Sequence, residues 1–418
     1  MTQIDVVVVG AGQAGLGVGY YLQQSGVDFV VLERGEIGES WRSQRWDSFS
    51  VNTPNWMNGL PGSPYNGSVP DGFYARDELV ASFERHAAAH ALPVRRGITV
   101  ERVTAAGDHV FLVDTVDGAG QRDSLRARNV IVASGMAQTP RIPAVRSAFP
   151  DSITQLHASD YRSSETLPAG AVIVIGSGQS GCQIAEDLAG AGRTVYLCTS
   201  RVGRVPRRYR GQDALEWMRD MAMWHQQPES LPDPLMQFAA QPQISGVGRL
   251  GRTVSLQAMQ RQGVRLMGRL GSVVDRVLTT DEGLADHIAF ADEFSAEFKQ
   301  KIDAYIEANR LDAPSAELDP IDIPAGPEVA KEGLTTLDLD EAGIGTVIWC
   351  TGFTSKLDWL DVPAKDDAGG PVHVRGVSPV PGIYFLGFPW LHTRKSGIIF
   401  GIEEDARHIA ETIIPASA

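Results

Sequence analysis

The sequence predicts an α/β fold, on three observations. The segment "VVVVGAGQAG" at Val6–Gly15 recurs as "VIVIGSGQSG" at Val172–Gly181. Each copy runs on into a helix-forming stretch and then a second apolar run. Two further apolar runs, "NVIVASG" at Asn129–Gly135 and "TVIWCTGF" at Thr346–Phe353, follow the two copies and end on the same pattern of small residue, hydroxyl and glycine. Strand, glycine turn, helix and strand make a βαβ unit, and the unit occurs twice. The simplest arrangement is two nested Rossmann-like domains. The first takes residues 1–143 and 346–418, and the second takes residues 144–345.

The elements follow in order. Val6–Val9 is strand-length, Leu16–Ser25 reads as a helix stopping near Gly26, and Phe29–Leu32 is the next strand. The second copy gives a helix over Cys182–Ala189, stopping near Gly190 and Gly192, and a strand over Thr194–Leu197. Residues 211–330 change character and read as a helical insertion in the second domain. There, Asp213–Trp224 is a short helix with Trp217, Met218, Met221 and Trp224 on one side. Leu284, Ile288, Ala291, Phe294, Phe298, Ile302 and Tyr305 recur at three- and four-residue spacing, the mark of an amphipathic helix. Pro314–Pro327 is acidic and proline-rich and reads as a loop.

Composition narrows the class. The chain has 418 residues, 43% apolar and 21% charged, with a formal net charge of −14 and no long basic run. Two or three domains are expected, and a nucleic-acid partner is not. Cys182, Cys198 and Cys350 form no CxxC pair, which argues against a disulfide framework and for a reducing compartment. No apolar stretch approaches the ~18 residues that cross a bilayer. With no signal-peptide pattern at the start, a soluble cytoplasmic protein is expected.

The glycine turns carry the chemistry. A pyrophosphate needs close backbone approach and hydrogen-bond donors at a helix start. Gly10, Gly12 and Gly15, with Gln13 and Ala14 between them, supply this in the first copy. Glu33 ends the next strand, where an acid accepts the ribose hydroxyls of an adenosine. An ordinary tight turn with a solvent-facing Glu is the bland reading. In the second copy Gly176, Gly178 and Gly181, with Gln179 and Ser180, take the same places. The partner position there holds Thr199, Ser200 and Arg201 and no acid. An acid would repel a 2′-phosphate, whereas Arg and hydroxyls bind it. NADPH is therefore expected at the second site, with Arg201 as the main phosphate contact unless it is a solvated loop residue. One acidic and one basic site point to two different dinucleotides, FAD at the first and NADPH at the second, and to hydride passing between them.

Further segments make the pattern resemble the class B flavin-dependent monooxygenases over almost the whole chain. "GESWRSQRWDSFSVNTP" is similar to the stretch that follows that family's flavin ribose site, and "SVNTPNWMNGLPG" to the segment carrying its active-site Asn, which falls on Asn52. "CTGF" at Cys350–Phe353 and the closing "GIYFLGFPWLHTRKSGIIFGIEEDARHIAETI" complete the likeness. The resemblance implies cofactor contacts at Arg34, Ser40, Trp41, Arg42 and Gly135. It implies others at Gly352, Gly387, Ser396 and Gly397, and a catalytic role for Asn52. An Asn amide donates and accepts without titrating. It could instead cap its own turn before Pro54. The family fingerprint is half present in "FPDSITQLHASDYR". His157, Tyr161 and Arg162 fit, whereas Phe149 stands two positions early and Ile153 replaces the Gly. This leans away from Baeyer–Villiger chemistry. His157 reads either as a proton-transfer residue or as a hinge held by hydrogen bonds.

By resemblance, the reaction uses NADPH, oxygen and a flavin hydroperoxide to oxidise a small nitrogen- or sulfur-containing substrate. A homodimer is in keeping with the class. Other residues have blander readings. His86 and His90 lie four apart on a helix without a third metal ligand and read as a solvated face, so no metal site is expected. Cys182 reads as a small core residue. Arg204, Arg207 and Arg208 either extend the NADPH site or face solvent. The Trp217–Trp224 helix and Trp390 line a substrate entrance or sit in the core. A disulfide reductase would need a cysteine pair in Glu36–Pro54, and none is there. An NADPH-dependent reductase or oxidase without oxygen insertion is an alternative. A flavin-based redox-sensing binding protein is another, of a different class.

Overall fold

The valines of Gln3–Val9 are buried on both faces, as a central parallel strand requires. The computed structural model describes residues 3–414 apart from Asp108 and Ala137. Gln3–Val9 pairs in parallel with Phe29–Leu32 on one side and with Arg122–Val132 on the other, Val8 lying opposite Val31 and Ile131. An antiparallel meander of Ile98–Ala105, Phe111–Asp117 and Arg122–Val132 extends the sheet. Ile383–Phe385 returns from the C-terminal segment to pair with Arg122–Val132, within an eight-stranded sheet. The helix Gln13–Ser25 packs on this sheet, and the closing helix Ile402–Ile413 packs on that helix. Gly17 permits the contact, because a Cβ there would collide with the Ile402 side chain.

The second sheet has five strands, all parallel, in the order Arg265–Met267, Val195–Cys198, Ala171–Ile175, Ile344–Trp349, Thr154–His157. Its central strands are again fully buried apolar runs. The helix Gln179–Gly190 crosses between Ala171–Ile175 and Val195–Cys198. The two halves of the sequence repeat thus fold alike, each with a third strand that ends beside its glycine turn. Between the sheets, the buried Tyr161 hydroxyl donates to Asp187 at 2.6 Å, and Asp187 also accepts from the Ser48 hydroxyl at 2.6 Å.

Two sequence expectations are corrected. Residues 211–330 are not simply a helical insertion. Within them Leu256–Arg261 is a crossover helix, and Arg265–Met267 adds a parallel strand to the second sheet, Tyr196 opposite Arg265. Leu270–Val274 and Val277–Thr280 form a hairpin extended by Thr336–Asp338. Its turn uses Asp275 and Arg276 at φ 48 and 66, left-handed positions that Asn-Gly more often marks. The long amphipathic helix does lie here, as Leu284–Asn309, burying Leu284, Ile288, Ala291, Phe298, Ile302 and Ile306. The second correction concerns the return at residue 346. Thr346–Trp349 pairs with Val172–Ile175 and Thr154–His157, so the chain leaves the second sheet only after Trp349.

Candidate functional site

The first glycine turn gives each glycine a separate job. Gly10 has φ 110, and a Cβ there would stand 2.6 Å from the Ala133 carbonyl oxygen. A Cβ on Gly15 would collide with the Gly10 carbonyl oxygen, so helix and strand can meet only over glycine. Gly12 is different. Its φ of −85 suits any residue, and a Cβ there would meet no protein atom within 4 Å. That open face lies at the start of a 13-residue helix that no side chain caps among the described residues, so its first N–H groups remain for a ligand. Glu33 is 7% exposed and spans the turn. Its Oε2 accepts from the Ala11 N–H at 2.7 Å and its Oε1 from the Gly35 N–H at 3.0 Å. Both oxygens keep lone pairs for a diol.

The other first-site candidates divide. The Trp41 indole donates to Gln13 Oε1 at 3.0 Å, and the Arg45 guanidinium lies over Trp41 and Phe49 at 5.2 and 5.6 Å. Ser40 is half-buried on the short helix Glu39–Ser43. Arg42 turns away to Glu84 at 2.6 Å on the surface, and Arg34 is exposed. The closing segment comes in beside the helix start. A Cβ on Gly387 would stand 2.7 Å from the Ala14 Cβ, Gly397 has φ 88, and Ser396 Oγ accepts from the His392 and Thr393 N–H groups. Gly135 and Gly352, which end the paired third-strand motifs, share the left-handed conformation at φ 78 and 82.

The second turn repeats the first. Gly176 has φ 103 with its Cβ position 2.6 Å from the Cys350 carbonyl oxygen, Gly181 would collide with Gly176, and Gly178 faces open space. No carboxylate spans this turn among the described residues. Instead Ser177 Oγ accepts from the Ser200 N–H at 2.9 Å. Arg201 is exposed, its guanidinium 4.0 Å above the Phe290 ring. Ser180 is exposed, whereas Gln179 Oε1 accepts from the Ile244 and Ser245 N–H groups at 2.8 and 3.3 Å. Gln243 Nε2 donates to the Ser177 carbonyl at 2.6 Å. A loop around residues 243–247 therefore runs along this helix start, a neighbour that the local sequence did not announce.

Asn52 does not cap its own turn. The turn is closed by Asn58, whose Nδ2 donates to the Thr53 and Pro54 carbonyls, both at 3.0 Å. Asn52 Oδ1 instead accepts from Gln183 Nε2 at 3.0 Å, and its backbone carbonyl accepts from Arg207 Nη1 at 2.7 Å. Gln183 is another neighbour that the local sequence does not announce. It is read as ordinary helix, because its partner stands 131 positions away.

His157 is a held residue. It is 1% exposed, its Nδ1 accepts from the Ser159 N–H, and its Nε2 donates to the Gly352 carbonyl at 3.0 Å. Burial lowers its pKa, against the opposing pull of that carbonyl. Arg162 donates to the Ser159 carbonyl at 2.8 Å and to the Ser43 carbonyl, so the half-fingerprint tethers segments together.

Two bland readings change, and the core readings of Trp217, Trp224, Trp390 and Cys182 hold. His86 is not on a solvated face. It is 2% exposed, bonded to Ser63 Oγ at 2.9 Å, and burial lowers it to about 4. Arg204 and Arg207 neither extend the second site nor face solvent. Arg204 is ion-paired to Asp292 and Asp322, and Arg207 to Asp213 at 2.7 Å, each arginine 1% exposed. Arg208 alone of the three is exposed. Trp217 and Trp224 are buried with their indoles bonded to the Tyr209 and Leu215 carbonyls, and Trp390 is buried too. Cys182 and Cys198 are buried, and burial pushes Cys198 and Cys350 up to about 12. None of the three thiols is poised as a thiolate.

One carboxyl at the closing helix gives a pH prediction. Burial raises Asp405 to about 6, against the opposing pull of the Ser396 hydroxyl. A raised folded-state value means the unfolded chain ionises first as pH climbs. Stability is therefore lost between about pH 4 and 6 and stays low above that. Asp405→Asn should stabilise the protein at pH 8 by ~2–3 kcal/mol and by nothing near pH 4. Urea unfolding at the two pH values checks this.

Fold and site together are those of an oxidoreductase with a glycine turn at the head of the parallel strands of each of two sheets. A profile of the pyridine nucleotide-disulphide oxidoreductases matches residues 7–219, and the chain belongs to that family. It is 29% identical over 409 residues to the uncharacterized oxidoreductase CzcO of Bacillus subtilis (strain 168), covering 97% of this chain and 98% of the relative. It is 26% identical over 419 residues to the indole-3-pyruvate monooxygenase YUCCA1 of Oryza sativa subsp. japonica, covering 97% and 90%. The flavin-containing monooxygenase from Stenotrophomonas maltophilia has the same fold, with a TM-score of 0.62 at 22% identity over 99% and 98% of the two chains. Among the described residues no helix is long and apolar enough to cross a membrane.

Proposed function

We propose that the protein is an FAD-dependent, NADPH-consuming monooxygenase that inserts one oxygen atom into a small nitrogen- or sulfur-containing substrate. The observation that carries this reading is the pair of like-shaped turns sorted by charge, Glu33 across the first and Arg201 beside the second. The two sheets then act as two dinucleotide-binding domains, nested in the chain. Its family, and a plant relative named for a monooxygenase reaction, support the same chemistry.

When bound, FAD supplies hydride acceptance from nicotinamide and activation of molecular oxygen. The chain supplies the rest. Gly12 and Gly178 admit the two pyrophosphates against helix starts, with Glu33 holding the flavin-side ribose. Arg201 binds the 2′-phosphate of NADPH. Asn52 offers an amide that neither gains nor loses a proton over the working pH range. Arg201→Ala should lower kcat/KM for NADPH at least about tenfold and leave that for NADH unchanged. An unaltered ratio would remove Arg201 from the site.

The reaction class is tested without knowing the substrate. The FAD-loaded protein is reduced with NADPH and mixed with oxygen. Oxygen uptake well ahead of peroxide release supports the monooxygenase, whose task is to keep the activated oxygen dry until substrate arrives. Simultaneous uptake and release would make it an oxidase. No reduction by NADPH would leave a flavin-binding sensor.

A further inference from the structure

We propose that Gln183 is a positioning residue that fixes which end of the Asn52 carboxamide faces the flavin site. This rests on the reading that Asn52 stands at that site. Gln183 lies one turn into the helix Gln179–Gly190, is 2% exposed, and belongs by sequence to the nicotinamide half of the molecule. Its Nε2 lies 3.1 Å from the Gly246 carbonyl oxygen and 3.0 Å from Asn52 Oδ1.

The orientation follows from hydrogen-bond parity. A backbone carbonyl only accepts, so the atom of Gln183 facing Gly246 is its nitrogen. That nitrogen has two hydrogens, one used on Gly246. The second needs an acceptor, so Asn52 must present oxygen, because nitrogen there would set donor against donor. The Asn52 Nδ2 group is thereby turned to the opposite side, where no hydrogen bond to it occurs among the described residues. The backbone of Asn52 is fixed independently by Arg207, itself held between Asp213 and the face of Phe73. With the backbone pinned, the carboxamide flip is the remaining freedom, and Gln183 sets it. The helix that begins in the second glycine turn thus dictates that Asn52 offers a donor to the flavin.

The test reverses the polarity. In Gln183→Glu the carboxylate accepts, and Asn52 turns its nitrogen toward it and its oxygen toward the flavin. In Gln183→Leu the amide loses its guide without being reversed. Two quantities are measured on FAD-loaded protein, the flavin midpoint potential and the interval between oxygen uptake and peroxide release. In Gln183→Glu the potential should fall, and the interval should shorten about tenfold, the worth of one hydrogen bond turned from favourable to unfavourable. Gln183→Leu should shift both in the same direction by less. In an Asn52→Ala background neither change at Gln183 should have any further effect. Persistence of the Gln183 effects in that background would overturn the proposal, as would parent-like values in both Gln183 variants beside an altered Asn52→Ala. If Asn52→Ala itself moves neither quantity, the placement of Asn52 at the flavin fails first and takes the proposal with it. Should Gln183→Glu not fold, Gln183→Leu with and without Asn52→Ala decides the matter.

Discussion

Gly12→Val is expected to give a folded but colourless protein, with FAD affinity lowered at least ~100-fold, about 2.7 kcal/mol. The backbone at Gly12 is extended, with φ −85 and ψ −169, a conformation that valine adopts readily. No protein atom stands within 4 Å of the position its Cβ would occupy. The apoprotein should therefore unfold within ~0.5 kcal/mol of the parent. All the loss falls on whatever approaches the turn from outside, which in the proposed function is the pyrophosphate. Gly178→Val is the matching variant at the second turn and should stay yellow while losing reduction by NADPH. Gly15→Ala makes the contrast, since its Cβ would strike the Gly10 carbonyl and disrupt the fold itself. Flavin absorbance after purification, fluorescence titration with FAD and thermal melts of the apoproteins separate the three outcomes.

Arg204→Leu is expected to cost ~3–5 kcal/mol of stability while leaving NADPH preference intact, because it strips a buried network of its central cation. Arg204 Nε and Nη2 meet Asp322 and Asp292 at 2.9 and 2.6 Å. Asp322 also binds Ser295 Oγ and Lys299 Nζ, and Asp292 binds Gln257 and the Ala325 N–H. Together these groups stitch the proline-rich segment Asp319–Ala325 to the long helix Leu284–Asn309. Removing the guanidinium leaves the two carboxylates short of charge, one of them 4% exposed. Urea unfolding at pH 7 reads the loss. The ratio of NADPH to NADH efficiency in the surviving folded fraction should match the parent, in contrast to Arg201→Ala.

The parts legible in the sequence are those whose cause is local. A glycine turn needs its three glycines within six residues, so both turns and their helices stand out in the chain. Buried parallel strands read as apolar runs for the same reason, as Gln3–Val9 and Ala171–Ile175 do. Arg265–Met267 does not stand out, because three residues are too few to carry a period, and its place in the sheet comes from Val195–Cys198. Arg204 and Arg207 read as a basic cluster because their carboxylate partners are distant in sequence, and only folding brings Asp292 and Asp322 to Arg204. His86 misled in the same way. Its helical face looked polar until Ser63 and the Leu16 carbonyl arrived to satisfy it. Asn52 is picked out by the family resemblance alone, and nothing near it in sequence reveals Gln183 or the loop that runs along the second helix start.

If the two turns hold two different dinucleotides in one working protein, anaerobic titration of the purified protein with NADPH, followed at the flavin band, shows it. One FAD per chain is expected, bleached completely by one equivalent of NADPH. A colourless protein that takes up no added FAD and shows no affinity for NADPH would contradict it.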